Sequence, residues 1–152
     1  MNKTDNRRIA LFPGSFNPFT VGHKSIVDRA LRLFDRVIVA VGYNPSKESD
    51  CRTVEERMAA IRRVYPERSE VEVASYSCLT ADFVGQVGAC AIVRGVRNTV
   101  DFEYERSIAD INRQLCGVDT VLIYTLPEME SVSSSMVREL AHFGHDVSRF
   151  LP

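Results

Sequence analysis

Residues 14–23 form a short segment whose residue types and spacing are well suited to binding a ligand. The segment supplies two glycines, the hydroxyl group of Ser15 and the imidazole of His23. An apolar run at 9–12 precedes it and helically spaced apolar residues follow it, so it is predicted to join a strand to a helix. A helix N-terminus carries unpaired backbone N–H groups and a partial positive charge, which favour an anionic ligand. We therefore expect a phosphate site here, and an ordinary strand-to-helix turn is the alternative.

The spacing of this segment differs from that of the common nucleotide-binding loops. It has neither the Gly-Lys-Ser/Thr end of a P-loop nor the three-glycine dinucleotide fingerprint. The segment therefore does not predict a kinase or a dehydrogenase.

Cationic and hydroxyl-bearing residues recur after other strand-like runs. Lys47 follows the second run, Arg94-Gly95-Val96-Arg97 follow the fourth, and Ser133-Ser134-Ser135 precede the last predicted helix. Taken alone, Lys47 is typical of a solvated surface lysine, and the serines are typical of a helix N-cap. Because the carboxyl ends of parallel strands lie at one edge of a sheet, we expect these groups to converge. Such convergence predicts a polyphosphate site, since phosphoryl transfer depends mostly on positioning and charge stabilisation.

The elements that must position these residues alternate along the whole chain. Apolar runs predict strands at 9–12, 37–41, 71–74, 91–93 and 121–126. Helices are predicted after Gly22, from a capping box at 53–56 to about 65, at 80–87, at 101–115 and after Ser133. This alternation predicts an α/β fold: a Rossmann-like, doubly wound, five-stranded parallel sheet with helices on both faces, in a single domain spanning 1–152.

Composition excludes several classes of protein. The 152 residues carry a formal net charge of -1, which gives no global footprint for nucleic acid or for an anionic membrane. The four cysteines contain no CxxC pair, which argues against a structural zinc site or a redox motif. His142 and His145 lie where the last helix should end, and we predict no metal site there. The polar N-terminus does not resemble a signal peptide or a membrane span, so we expect a cytoplasmic protein.

Thr20-Val21-Gly22-His23 resembles the T/HxGH signature of the nucleotidyltransferase superfamily, and threonine in the first position favours one of its families. The runs at 45–47, 94–97, 101–105, 112–113 and 132–135 are similar, in order and spacing, to those of the bacterial phosphopantetheine adenylyltransferases. A departure from that family is Asn17, which stands where an aspartate is usual. The alternatives are a cytidylyltransferase, a nicotinamide-mononucleotide adenylyltransferase, and a nucleotide-binding module without turnover.

The resemblance implies transfer of AMP from ATP to 4′-phosphopantetheine, which gives dephospho-coenzyme A and pyrophosphate in coenzyme A biosynthesis. It implies direct in-line attack without a covalent enzyme intermediate, with Mg²⁺ as cofactor. It also implies a homohexamer and feedback inhibition by coenzyme A.

The same resemblance assigns the site residues. It gives catalytic roles to His23, Lys47 and Arg97, and it places Ser15, Lys47, Thr80 and Arg94 on the phosphopantetheine side. On the ATP side it places Ser15, Phe16, His23, Gly95, Val96, Arg97, Glu105, Met129, Glu130, Ser131, Val132, Ser133, Ser134 and Ser135.

Overall fold

Five parallel strands form one sheet in the computed structural model, which describes residues 7–47 and 53–152. The strands are β1 (Ile9–Gly14), β2 (Arg36–Gly42), β3 (Val71–Tyr76), β4 (Ala91–Val96) and β5 (Thr120–Tyr124). Their order across the sheet is β3-β2-β1-β4-β5. The chain thus builds outward from β1 in one direction, and then returns to add β4 and β5 on the other side. This confirms the predicted doubly wound topology.

Helices connect the strands and cover both faces of the sheet. They are α1 (Val21–Ala30), α2 (Val54–Val64), α3 (Thr80–Val87), α4 (Thr99–Cys116) and α5 (Ser134–His142). Within the two described ranges, none of them is long and apolar enough to cross a bilayer.

The core consists of two buried clusters, one on each face of the sheet. Ala10 and Phe12 of β1 belong to the cluster that also contains Val27 of α1 and Ile61 of α2. The intervening residue Leu11 belongs to the opposite cluster, which also contains residues of α3. Alternate β1 side chains therefore enter different clusters, which explains why the strand reads as a continuous apolar run.

Side-chain caps set the start of α1 and α2. The predicted box at the start of α2 is present: Thr53 accepts from Glu56 N–H at 3.2 Å, and Glu56 accepts from Thr53 N–H at 2.8 Å. Thr20 and His23 form an equivalent reciprocal box at the start of α1. These caps fix where each helix leaves its loop, and hence where the loop side chains lie.

Several predicted strand ends are wrong. Those of β1 to β4 were placed too early, because pairing extends past the apolar runs. β4 continues to Val96, so Arg94 and Gly95 lie within the strand, where they pair with Leu122 and Ile123 of β5. Likewise, β1 continues past its apolar run to Gly14, which pairs with Val41 of β2. At β5 the strand ends at Tyr124, two residues earlier than predicted.

The sheet opens between its central strand β1 and the neighbouring strand β4. β1 and β4 are registered at Ala10↔Ala91 and Leu11↔Ile92, in the amino-terminal half of each strand. Toward their carboxyl ends, the described residues of β1 and β4 are no longer paired. In contrast, β1 stays paired with β2 as far as Gly14↔Val41. A cleft therefore opens at the point where the strand order reverses, which is where open α/β sheets bind ligands.

Candidate active site

A cavity of about 350 Å³ lies in this cleft. Its walls come from the loop after β1, the start of α1, the end of β4, the start of α4 and the start of α5. The residues predicted from sequence that line it are Ser15, Phe16, His23, Arg94, Gly95, Arg97, Glu105, Val132, Ser133, Ser134 and Ser135. The fold thus brings together groups that are more than 100 residues apart in the chain.

A second cavity of about 240 Å³ adjoins the first. Its lining includes Thr80 and Tyr76, whose hydroxyl groups are 2.9 Å apart, and the buried Asn112 of α4. Ser15 and Arg94 line both cavities, as do Pro13, Gly14 and Glu105. The two cavities therefore meet at a wall that carries a hydroxyl group and a guanidinium group.

His23 lines the first cavity and is surrounded by aromatic rings. Its ring stacks on Phe19 at 5.5 Å between centroids and meets the Phe16 ring edge-on at 5.1 Å. The backbone N–H of Thr20 donates to His23 Nδ1 at 3.0 Å, so Nδ1 carries no proton and the neutral ring bears its proton on Nε2. We assign this tautomer from the hydrogen bond, which leaves Nε2–H as a donor to a ligand.

The electrostatic environment keeps His23 neutral. Burial, followed by the positive charges of Arg94 and Arg97, lowers the pKa of His23 from 6.5 to about 4. The imidazole is therefore a neutral hydrogen-bond donor at physiological pH rather than an acid or a cation.

Arg94 is held rigidly at the wall between the cavities. Its Nε donates to Glu105 Oε2 at 2.9 Å and its Nη2 to Glu105 Oε1 at 2.7 Å, while Nη1 donates to the Pro13 carbonyl. Glu105 is buried, with 5% of its surface exposed, so this bidentate pair neutralises a carboxylate that would otherwise be costly to bury. The sequence resemblance assigned Glu105 to the nucleotide, and in the structure its described partner is Arg94.

Arg97 is oriented by the first turn of α4. Its Nε donates to Asp101 Oδ2 at 2.9 Å, and its backbone N–H donates to the same oxygen at 3.1 Å. Burial alone would raise the pKa of Asp101, but the hydrogen bonds from the Arg97 side chain and backbone outweigh it and lower that pKa. The ionised Asp101 therefore holds the Arg97 guanidinium beside the first cavity, which both residues line.

The three serines before and within α5 all have protein partners. Ser133 caps the helix by accepting from Met136 N–H at 3.1 Å, which confirms the N-cap interpretation. The hydroxyl group of Ser134 donates to the Pro18 carbonyl at 2.7 Å, and Ser135 accepts from an arginine of the same helix. The serine run therefore ties the start of α5 to the loop after β1.

Two arginines that sequence reasoning missed hold the backbone of that loop. Arg57 of α2 donates to the Ser15 carbonyl at 2.6 Å, and Arg138 of α5 donates to the Asn17 carbonyl at 2.5 Å. Between these anchors Phe16 has a φ of 48°, in the left-handed region that non-glycine residues rarely adopt. Single arginines on amphipathic helices have no sequence pattern that would reveal such contacts.

Comparison with known proteins identifies the family. A family model described as cytidylyltransferase-like matches residues 11–140. The phosphopantetheine adenylyltransferase of Porphyromonas gingivalis strain W83 is 53% identical over 146 residues, which cover 96% of this chain and 95% of the relative. That of Bacteroides thetaiotaomicron is 49% identical over 145 residues, 95% of each chain. The chain belongs to the phosphopantetheine adenylyltransferase family.

Solved structures of proteins with lower sequence identity share the fold of this member of the phosphopantetheine adenylyltransferase family. A bifunctional NMN adenylyltransferase/ADP ribose pyrophosphatase from Francisella tularensis superposes with a TM-score of 0.69 at 18% identity, covering 95% of this chain and 45% of that one. A lipopolysaccharide core biosynthesis protein from Thermoplasma volcanium gives a TM-score of 0.56 at 17% identity, covering 79% of this chain and 97% of that one. At these identities the match concerns the fold alone.

The other residues to which the resemblance gave a site role do not line the two cavities, or have a side chain that the structure does not describe. Val96 is buried in β4 and lines neither cavity. Met129 ends a 3₁₀ turn at Pro127–Met129, and it lies with Glu130 and Ser131 in the segment before α5, outside both described linings. The backbone of Lys47 ends a 3₁₀ turn at Pro45–Lys47, and its side chain lies outside the described part of the chain.

The donor set of the cavities is cationic and hydroxylic rather than metal-ligating. Among residues 7–47 and 53–152, no group of three or more His, Cys, Asp or Glu side chains is placed to hold a metal ion. The two carboxylates on the first cavity, Asp101 and Glu105, are each bound to an arginine. These residues can bind a polyanion directly. They fit a metal ion only when the ion is already bound to that polyanion.

Proposed function

We propose that this chain transfers AMP from ATP to 4′-phosphopantetheine, giving dephospho-coenzyme A and pyrophosphate. The observation that carries the proposal is the pair of adjoining cavities that share Ser15 and Arg94. A reaction between two phosphorylated molecules needs two pockets that meet at a shared wall, and the curated relatives at about 50% identity are named for this activity.

ATP fits the first cavity. Neutral His23 offers Nε2–H, Arg97 offers a fixed charge, and the start of α5 offers free backbone N–H groups to the phosphates. Tyr104 also lines this cavity and is 63% exposed, which makes it available to stack on the base.

The pantetheine arm fits the second cavity. That arm alternates short apolar segments with amides, and the cavity combines apolar Ile92 and Ile108 with the Asn112 amide and the Tyr76–Thr80 hydroxyl pair. The phosphate at the end of the arm would then lie at the shared wall, beside Ser15 and Arg94.

The chemical step needs no nucleophile from the protein. The phosphate of 4′-phosphopantetheine is anionic at neutral pH, so one of its oxygens attacks the α-phosphorus of ATP in line while pyrophosphate leaves. Holding the two reactants in register can supply roughly 7–11 kcal/mol of the barrier. His23, Lys47, Arg94 and Arg97 then stabilise charge that moves toward the leaving pyrophosphate.

Mg²⁺ enters this proposal as part of the substrate. Mg²⁺ commonly keeps several waters and binds through substrate phosphates with one or two carboxylates. Since Asp101 and Glu105 are bound to arginines, we propose that the triphosphate carries the ion into the cavity. The ion would supply neutralisation of the phosphate oxygens.

Pyrophosphate release from purified protein tests the function. The assay compares three pairs of substrates in the presence of Mg²⁺: ATP with 4′-phosphopantetheine, ATP with nicotinamide mononucleotide, and CTP with glycerol 3-phosphate. Release with 4′-phosphopantetheine alone supports the proposal. Release with another pair instead would change the substrate, and no release with any pair would favour a binding module without turnover.

We propose further that the chain assembles into a homo-oligomer, specifically the hexamer that the family resemblance implies. Apolar side chains project from one face of α4, where Val100 is 75% exposed, Ile111 57% and Leu115 61%. Tyr124 on the edge strand β5 is 72% exposed. An exposed apolar helix face of this kind is typical of a protein interface.

Light scattering tests the assembly. A mass close to six times the 17.1 kDa chain mass supports the hexamer. Ile111→Asp should reduce that mass, whereas Arg106→Asp, which adds a carboxylate on another exposed face of α4, should not. A monomeric wild-type protein would overturn the proposal.

Feedback inhibition by coenzyme A belongs to the same proposal. Coenzyme A carries the pantetheine arm, so it would compete for the second cavity. Displacement of bound 4′-phosphopantetheine by coenzyme A is the expected result, and a lack of displacement would remove this part.

We also propose a cytoplasmic location, because the reaction consumes ATP. Fractionation of a cell that produces the chain would test it, with recovery in the cytosolic fraction as the expected result.

A further inference from the structure

The loop after β1 is held from outside by side chains that bind its carbonyl oxygens. Arg57 binds Ser15 O at 2.6 Å, Arg138 binds Asn17 O at 2.5 Å, and Arg94 binds Pro13 O. Arg94 also lines both cavities. Arg57 differs from it, because it lies on a separate recess beside Phe16 and lines neither cavity.

Arg57 itself has a well-defined position. It lies in the first turn of α2, and its backbone N–H donates to the Thr53 carbonyl at 3.1 Å. The Thr53–Glu56 box fixes the start of the helix, so the Arg57 side chain leaves a rigid base. Its guanidinium reaches across 42 positions of sequence to the Ser15 carbonyl.

The contact controls the direction of a backbone donor. In a trans peptide the C=O of one residue and the N–H of the next point in opposite directions. An arginine that holds Ser15 O therefore turns the N–H of Phe16 away from α2. This N–H has no acceptor among the described residues, and Phe16 lines the first cavity. The left-handed φ of 48° at Phe16 is unfavourable for a non-glycine residue, so the loop needs such an anchor to keep this conformation.

We propose that Arg57 is a positioning residue for adenylyl transfer: by binding the Ser15 carbonyl it aims the Phe16 N–H at the phosphates of ATP, without touching either substrate. The proposal rests on ATP occupying the first cavity, as in the function proposed above. It assigns a part in catalysis to α2, although no described residue of α2 lines either cavity.

Two substitutions and a matched control test the assignment. Arg57→Met removes the donors but keeps much of the aliphatic bulk, and Arg57→Lys keeps one cationic donor. Arg62→Met is the control, because Arg62 is exposed on the same helix and lines none of the three described cavities. Each variant is assayed for ATP affinity by calorimetry, for kcat and KM with 4′-phosphopantetheine, and for stability in urea.

We expect a loss of ATP affinity and of kcat that a change in stability does not explain. Arg57→Met should weaken ATP binding and lower kcat by about tenfold to a hundredfold in protein that is still folded, since a small misplacement of a donor has effects of this size. Arg57→Lys should recover part of both values, and Arg62→Met should match the wild type. The KM for 4′-phosphopantetheine should change much less than kcat.

Folded Arg57→Met with wild-type ATP affinity and kcat would overturn the proposal, and so would an equal loss in Arg62→Met. Should Arg57→Met fail to fold, Arg57→Gln, whose amide is too short to replace the guanidinium, takes its place under the same criteria. The calorimetric readout needs no turnover. Weaker ATP binding in the variant therefore supports the role of Arg57 even if the wild type proves to use a different second substrate.

Discussion

The partly buried, neutral His23 leads to a prediction about stability and pH. In the unfolded chain this histidine titrates near 6.5, whereas in the folded chain its pKa is about 4. Because the folded state has the lower pKa, the unfolded state binds more protons between these values. The contribution of His23 to stability is therefore complete above pH 6.5 and is lost as the pH falls toward 4.

The size of the effect follows from the two pKa values. At pH 5 the unfolded histidine is almost fully protonated and the folded one is not, so lowering the pH from 7 to 5 should cost about 2 kcal/mol of unfolding free energy from this one group. This is a substantial part of the total for a small domain, which is about 5–15 kcal/mol.

The measurement is urea unfolding of the wild type and of His23→Gln at pH 7 and pH 5, followed by circular dichroism. Glutamine can still accept the Thr20 N–H of the capping box, but it does not titrate. Other titrating groups affect both proteins alike, so the difference between their pH dependences isolates His23. The variant should lose about 2 kcal/mol less than the wild type between the two pH values. Equal losses in the two proteins would refute the assignment of a depressed pKa to His23.

Four further outcomes are expected. His23→Ala should lower turnover at least about a hundredfold while leaving the fold intact, because it removes the Nε2–H donor; a near-normal rate in a pyrophosphate assay would contradict this. Glu105→Gln should destabilise the protein by about 3 kcal/mol in urea unfolding and lower kcat/KM for 4′-phosphopantetheine, because Arg94 loses its charged partner. Ser133→Ala should cost about 1 kcal/mol of stability through loss of the α5 N-cap, and an unchanged unfolding midpoint would argue against the cap. EDTA should stop pyrophosphate release without changing the melting temperature, since the proposed Mg²⁺ arrives with ATP and is not part of the fold.

Local sequence patterns predicted the elements of this fold well, but not all of their ends. Periodicity separated each strand from each helix, because strands buried on both faces read as apolar runs and the helices bury one face. The end of β4 was misplaced because Arg94 and Gly95 resemble loop residues. Their place in the strand depends on pairing with Leu122 and Ile123, which no local pattern reveals.

The candidate site was predictable where residues combine a recognisable type with a place at the end of a strand. Ser15, His23 and Arg97 met both conditions, and the structure gathers them in one cavity. Arg57 and Arg138 were missed because their partners lie 42 and 121 positions away in sequence. Such contacts arise only from the tertiary fold.

The short register between β1 and β4 also bears on how the two parts of the molecule stay together. The part built from β1 to β3 and the part built from β4 and β5 meet in the sheet at Ala10↔Ala91 and Leu11↔Ile92. A ligand that contacts both His23 and Arg97 would span this seam from its open end. Nucleotide binding would then link the two parts and stabilise their contact. It should therefore slow amide hydrogen exchange most in strands β1 and β4, on either side of the seam.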